Sequence, residues 1–380
     1  RMDEIARQGR FFADVRTEAS HTDYATLSPL TGQYPLRSSS THRYPENPPY
    51  PRVLIYDLLK QLGYRTALVS SQDEHWGLMI NYLKTAGLDL FDHAYRAGSR
   101  NMAWNFRSDR ETVDAAIRWL SEESPKPFFA YLNLQNSHYP YSVPEDWPRR
   151  FGKPPEVRYA MAMYPRERVP DVRNLYADAL DFQDAQLGRL IDFLKARDQW
   201  SRTIFVLVAD HGEAFMEHGF GGHASAIFDE VMKVPLLLAG PGVPPGIDRR
   251  PAELIDVPST LCHLLGIPAH PSFQGRDLLS TDFPKERSRF MVAHTPLATQ
   301  YGVERGGWKL IVDERLNLQS LYDLRSDPRE MNDRSHDQPS ILRELLRQAA
   351  EWRNLQLEYY QNPKRMSAEY PPVLSESAPQ

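Results

Sequence analysis

One segment constrains the fold of this chain more than any other. Thr203 to Ala209 is an unbroken apolar run that ends directly in Asp210-His211-Gly212-Glu213. A strand with no polar alternation needs cover on both faces, as in a mostly parallel sheet sandwiched between helices. In such open α/β sheets ligands bind beyond the carboxyl ends of strands, so the loop opening at Asp210 is where chemistry is expected.

The rest of the sequence fits that frame. Apolar β-branched stretches alternate with stretches of helical period: Val53 to Leu62 reads as a helix closed by Gly63, and Thr66 to Ser70 as the following strand. Asp109 to Leu120 is a second helix, followed by the strand Phe128 to Leu134. Leu180, Leu187, Leu190, Ile191 and Leu194 mark one face of a long amphipathic helix from Leu175 to Leu194. From about Glu286 the pattern changes to short strand-like pieces, Arg289 to Ala293 and Trp308 to Val312, and a final helix, Pro339 to Tyr359. The expected organisation is an α/β domain over 1–285, a small antiparallel carboxyl-terminal subdomain over 286–365, and a disordered Ser, Pro and Glu-rich tail over 366–380.

Composition narrows the function classes. A net charge of -5 and scattered Lys and Arg give no polyanion-binding face, which argues against nucleic acid. The longest apolar runs fall far short of the roughly 20 residues of a membrane-spanning helix. Cys262 is the only cysteine, so a disulfide within the chain is excluded and the compartment is not readable from redox chemistry. The chain opens on Arg1 and enters a helix-like pattern with no strand before it; the expectation is a fragment whose first strand lies upstream.

Three segments concentrate chemistry. Asp210 and His211 set a hard carboxylate beside a borderline imidazole at a strand end, and Gly212 lets the backbone turn, so both can share one cation. His218 and His223 follow within a glycine-rich loop. Asn136-Ser137-His138-Tyr139-Pro140-Tyr141 places His138 beyond another strand end, and Ser20 to Gly32 is crowded with hydroxyls. The loops Pro35 to Pro51 and Pro144 to Val172 are expected at the pocket mouth.

In this order these elements resemble the sulfatase family of the alkaline phosphatase superfamily. The likeness rests on Met2 to Gly9, the segment ending in Leu30-Thr31-Gly32, His138-Tyr139-Pro140-Tyr141, Asp210 to Glu213, Glu217-His218-Gly219, Val234-Pro235-Leu236, Pro241-Gly242, Trp308-Lys309-Leu310 and Leu321-Tyr322-Asp323-Leu324. It implies an alkaline phosphatase-like three-layer sandwich with a mainly parallel central sheet. Counting back from Thr31-Gly32, the family's nucleophile position is Thr22. Tyr24 and Thr26 stand where formylglycine formation needs proline and arginine, and His223 stands where the family usually has lysine, so the resemblance is to the threonine-nucleophile branch, similar to phosphoethanolamine transferases and unmodified hydrolases.

What the resemblance implies is a metal-dependent hydrolase of phosphate or sulfate esters acting through a threonine-bound intermediate. Asp210, His211 and the Thr22 oxygen would hold one divalent ion, Zn²⁺ or Mn²⁺ ahead of Ca²⁺ or Mg²⁺. His138, His223 and, less directly, His218 would contact the transferring group or protonate the leaving oxygen. The family supplies further acidic ligands from a first strand, which is expected upstream of Arg1. Partners would be small anionic esters, glycans or lipid headgroups. Two alternatives stand: a phospho-headgroup transferase, which would go with an upstream membrane anchor and a periplasmic setting, and a non-catalytic anion-binding module of the same fold.

Overall fold

The computed structural model describes residues 1–38, 43–96, 105–152, 163–296 and 298–373. Parts of the two expected rim loops, 39–42 and 153–162, lie outside the described residues, as does 374–380.

The central layer consists of two half-sheets. In one, Arg65–Ser70 pairs in parallel with Leu90–Asp92 on one side and Phe128–Asn133 on the other. In the other the order is Gly246–Asp248, Arg10–Phe12, Leu236–Ala239, Phe205–Val208. There the Arg10–Phe12 strand runs parallel to Gly246–Asp248, while Leu236–Ala239 is antiparallel to both of its neighbours.

Alternation along each strand fixes its two faces. Ala67 and Val69 face the helices Asp109–Ser121 and Val169–Ala196, whereas Leu68 and Phe129 face Ile55–Gln61 and its aromatic surroundings. Val206 and Val208 pack on the side of Asp256–Leu264. Phe205 and Leu207 pack with Ile191 of the long helix and Ile5 of Met2–Gln8. The result is the expected three-layer sandwich.

The long helix lies under both half-sheets, touching Phe128, Ala130 and Leu132 of one and Phe205 and Leu207 of the other. Phe128–Asn133 and Phe205–Val208 each carry a ladder on one side only among the described residues, and all their residues are part-buried. Among the described residues no strand pairs with the second edge of Phe205–Val208, and the run read as buried on both faces is only part-buried. The long helix also starts at Val169, earlier than expected, with Pro170 in its first turn, where a missing N–H costs nothing.

The carboxyl-terminal sheet is a four-stranded antiparallel meander, Arg289–His294, Thr299–Arg305, Trp308–Asp313 and Leu318–Asp323. Gly306 and Gly307 join the middle pair with φ of 56° and 77°, the two positive-φ positions of a tight two-residue hairpin that other residues resist. Helix Pro339–Gln361 covers this sheet, and the Trp352 ring stacks on Phe290 with centroids 5.0 Å apart.

This region does not stand apart. Its core includes Tyr24 and Ala25 from the hydroxyl-rich segment and Ala19 just before it. Lys309, fully buried, reaches Asp229 at 2.8 Å and Glu330 at 2.7 Å, and Arg16 holds the other Asp229 oxygen at 2.6 Å. Part of the tail expected to be disordered from Met366 on is also ordered: the helix Pro363–Ala368 runs into it, Met366 is buried, and the Pro372 carbonyl accepts from Gln274 at 2.6 Å. Its polar composition concealed one anchoring methionine and a carbonyl that ties it down.

Candidate active site

Backbone hydrogen bonds hold the hydroxyl-rich segment from two sides. Val292 N–H donates to the Glu18 carbonyl and Ser20 N–H to the Val292 carbonyl, while Ala224 N–H donates to the Ser20 carbonyl. The carboxyl-terminal sheet and the loop after Asp210 thus clamp the residues just before Thr22, which begins the short helix Thr22–Ala25.

Across from it, the turn after Phe205–Val208 presents Asp210 and His211. Gly212 is required there: a Cβ would lie 2.3 Å from the Glu230 carbonyl oxygen, and the Gly212 N–H donates to the Val231 carbonyl at 2.7 Å. Thr22 Oγ1 is 3.0 Å from His211 Nε2, which is 3.5 Å from Asp210 Oδ2. His211 Nδ1 donates to the Gly212 carbonyl at 2.8 Å, so in the neutral ring the Nε2 lone pair faces the threonine oxygen and the carboxylate.

The remaining histidines are brought in by a hairpin. Ala214 pairs with Gly222 and Phe215 with Gly221, so residues flanking the ladder meet at its open end. His223 returns beside Glu213, its Nδ1 3.3 Å from Oε1, and its ring centroid is 4.2 Å from that of His211 and 5.3 Å from that of His138. His138 Nδ1 donates to the Tyr139 carbonyl at 2.7 Å, leaving Nε2 available.

The hairpin also explains the one candidate that does not converge. His218 sits toward its tip, stacked on Phe228 at 3.7 Å, with Nδ1 2.7 Å from Glu230 Oε1 and Nε2 3.1 Å from the Glu330 carbonyl. It fastens the loop to neighbouring structure and stands apart from Asp210, His211, His138 and His223.

Electrostatics separate these histidines. Burial lowers His138, and burial with the nearby His211, His138 and His21 takes His223 well below the ordinary imidazole value, so both are neutral near pH 7. Burial also pushes Glu213 up to about 7. Desolvation would raise Asp210, but His211 and then His223 outweigh it and hold the carboxyl below its usual range. At His218 the burial effect is outweighed by Glu230, which raises the ring's pKa.

Two residues beside this cluster had no role of their own assigned from sequence. Glu213 is the last member of the Asp210 to Glu213 motif, and His21 precedes Thr22, with its ring 5.9 Å from that of His223. Adjacency to chosen positions was the only signal for either.

Known proteins bear on this geometry. Arylsulfatase K of Homo sapiens is 26% identical over 358 residues, covering 75% of this chain and 65% of that protein. Choline-sulfatase of Rhizobium meliloti is 30% identical over 172 residues, covering 43% of this chain and 33% of the enzyme. The phosphonate monoester hydrolase of Agrobacterium radiobacter superposes with a TM-score of 0.73 at 19% identity, over 93% of this chain and 90% of that one, and shows the alkaline phosphatase superfamily fold. The chain thus spans less than two thirds of the length of arylsulfatase K and of choline-sulfatase. The family model for sulfatases matches residues 1–267, and the chain belongs to the sulfatase family.

Proposed function

We propose that this chain carries the catalytic centre of a hydrolase of sulfate or phosphate esters in which Thr22 is the nucleophile. The observation that carries the reading is the 3.0 Å approach of Thr22 Oγ1 to a His211 nitrogen whose tautomer is set by the Gly212 carbonyl.

The donor set suits a divalent cation: one carboxylate oxygen of Asp210, Nε2 of His211 and the Thr22 oxygen lie around a common point. Among the described residues no third carboxylate or imidazole closes on this pair within 4.8 Å. A cation held there supplies Lewis-acid charge that lowers the pKa of the hydroxyl and offsets charge on the transferring group. The mixed O and N donors favour Zn²⁺ or Mn²⁺ over Ca²⁺ or Mg²⁺.

The protein groups do the rest in two displacements. Thr22 Oγ bonds to phosphorus or sulfur as the bond to the substrate's bridging oxygen breaks, and that oxygen leaves as the alcohol after taking a proton. Water then attacks the threonine ester, restoring the hydroxyl and releasing the inorganic anion. The Glu213 and His223 pair carries the exchangeable proton: His223 Nδ1 is 3.3 Å from Glu213 Oε1, and burial pushes the Glu213 carboxyl up to about 7. His138 is neutral in the free pocket, and an anionic ester raises its proton affinity, so Nε2 gains a proton with which to hold a non-bridging oxygen.

Threonine favours phosphorus. Lacking an aldehyde hydrate that could expel the group by elimination, a threonine ester must be opened by a second attack, which is widely workable at phosphorus. Parallel assays of aryl phosphate, phosphodiester, phosphonate and sulfate esters with each metal added in turn test this order. Phosphorus esters are expected to turn over faster, and a preference for sulfate would reverse it.

A further inference from the structure

Asp73, His75 and His93 belong to none of the residues assigned so far. One ligand-type atom from each lies within 4.8 Å of the others, the only such group among the described residues. Asp73 is buried at 1% exposure, and its Oδ1 is 2.8 Å from His75 Nδ1 and 3.6 Å from His93 Nδ1. Asn105 Nδ2 donates to the other carboxylate oxygen at 3.0 Å, and the His75 N–H donates to Oδ1 at 3.1 Å, so the carboxylate is oriented from both ends.

Strand register builds this cluster. Val69 pairs with Asp92, which puts the residues after Arg65–Ser70 beside His93, just past Leu90–Asp92. The two imidazoles are 5.1 Å apart between centroids. A cavity of about 290 Å³, lined by His93, Tyr95, Arg96 and Arg107, opens on the His93 side of the cluster.

We propose that Asp73, His75 and His93 form a second cation site, of the zinc class, separate from the Asp210 and His211 pair. One carboxylate and two imidazoles is a donor set zinc accepts, and Asn105 supplies the supporting hydrogen bond such ligands need. Its role is to fix a loop. Trp76, next to His75, packs its ring 5.1 Å from that of His21, the neighbour of Thr22, and a Cβ on Gly77 would meet the Asp23 side chain at 3.8 Å. Binding itself is independent of the proposed hydrolysis; only this positioning role rests on Thr22 being the nucleophile.

The test counts metal on the whole chain. Protein stripped with a chelator and dialysed against micromolar ZnCl₂ is analysed for zinc per chain, using Asp210→Ala to remove the first pair. Asp210→Ala is expected to keep about one zinc, and Asp210→Ala/His93→Ala to lose it, with affinity at least about 100-fold weaker. Co²⁺ should give visible bands in Asp210→Ala that vanish in the double variant. Should His93→Ala not fold, His75→Gln, altering a ring that is 34% exposed, makes the same comparison. Equal zinc in the single and double variants, or none in Asp210→Ala, overturns the proposal and leaves a purely hydrogen-bonded cluster. Either result stands whether or not Thr22→Ala abolishes turnover.

Discussion

Two clusters of carboxylate and histidine stand beyond strand ends in this protein, and they differ in what faces them. Beyond Phe205–Val208, Asp210 and His211 meet a hydroxyl, and His138 and His223 are held neutral by burial. Beyond Arg65–Ser70, Asp73 meets two imidazoles and an amide, with no hydroxyl in the group. Both sets could bind a cation, yet only the first also presents a group that can attack. Ligand chemistry alone therefore does not mark an active site; a nucleophile aimed at the ligand pair does.

Changes at the first cluster should remove chemistry and changes at the second should loosen order. The largest effect is expected from Thr22→Ala, with a fall in kcat/KM of about 10³-fold or more at unchanged melting temperature, while Thr22→Ser keeps most activity. Turnover by the alanine variant within tenfold of the parent would erase the distinction between the clusters. His223→Ala is expected to cost about 10²-fold in kcat, the usual scale for losing a proton carrier. His93→Ala should shift KM and melting temperature far more than kcat, and a loss of kcat as large as that of His223→Ala would make the second cluster catalytic.

A smaller effect concerns the support under Thr22. Burial and then Glu253 push Glu18 up to about 8, and burial pushes Glu253 up to about 7, from an ordinary value of 4.5. Their folded pKa values are raised, so the contribution of the protonated pair is complete below about pH 4.5 and fades as pH rises through 7 to 8. Glu18→Gln is expected to melt about 2–4 °C higher than the parent at pH 8.5 and nearly the same at pH 5. Equal differences at both pH values would mean that Glu18 is already ionised in the fold. The smallest change is expected from His218→Ala: roughly 1 kcal/mol of stability from its stacking and hydrogen bonds, with kcat within about twofold.

Sequence carried the first cluster further than the second. Asp210, His211 and His223 sit in one short stretch after an apolar run, and His138 follows another strand, so strand-end logic found them. His218 has the same credentials on paper, but hairpin pairing sends it to the tip while returning His223 to the base. Asp73, His75 and His93 form no motif, because parallel register joins them across a helix and a loop. The main helices and the carboxyl-terminal meander were legible from period and turn residues. The order in 366–373 was not, since one buried methionine outweighs a polar composition.

The account turns on a bond from the Thr22 oxygen to the group being transferred. Rapid acid quench during turnover of a fast aryl ester, followed by proteolysis and mass spectrometry, tests it directly. The account predicts one phosphoryl or sulfo group on Thr22 in the peptide spanning Arg16 to Leu30, absent from Thr22→Ala. A turning-over enzyme with no adduct on Thr22, or with the adduct on another side chain, would contradict it.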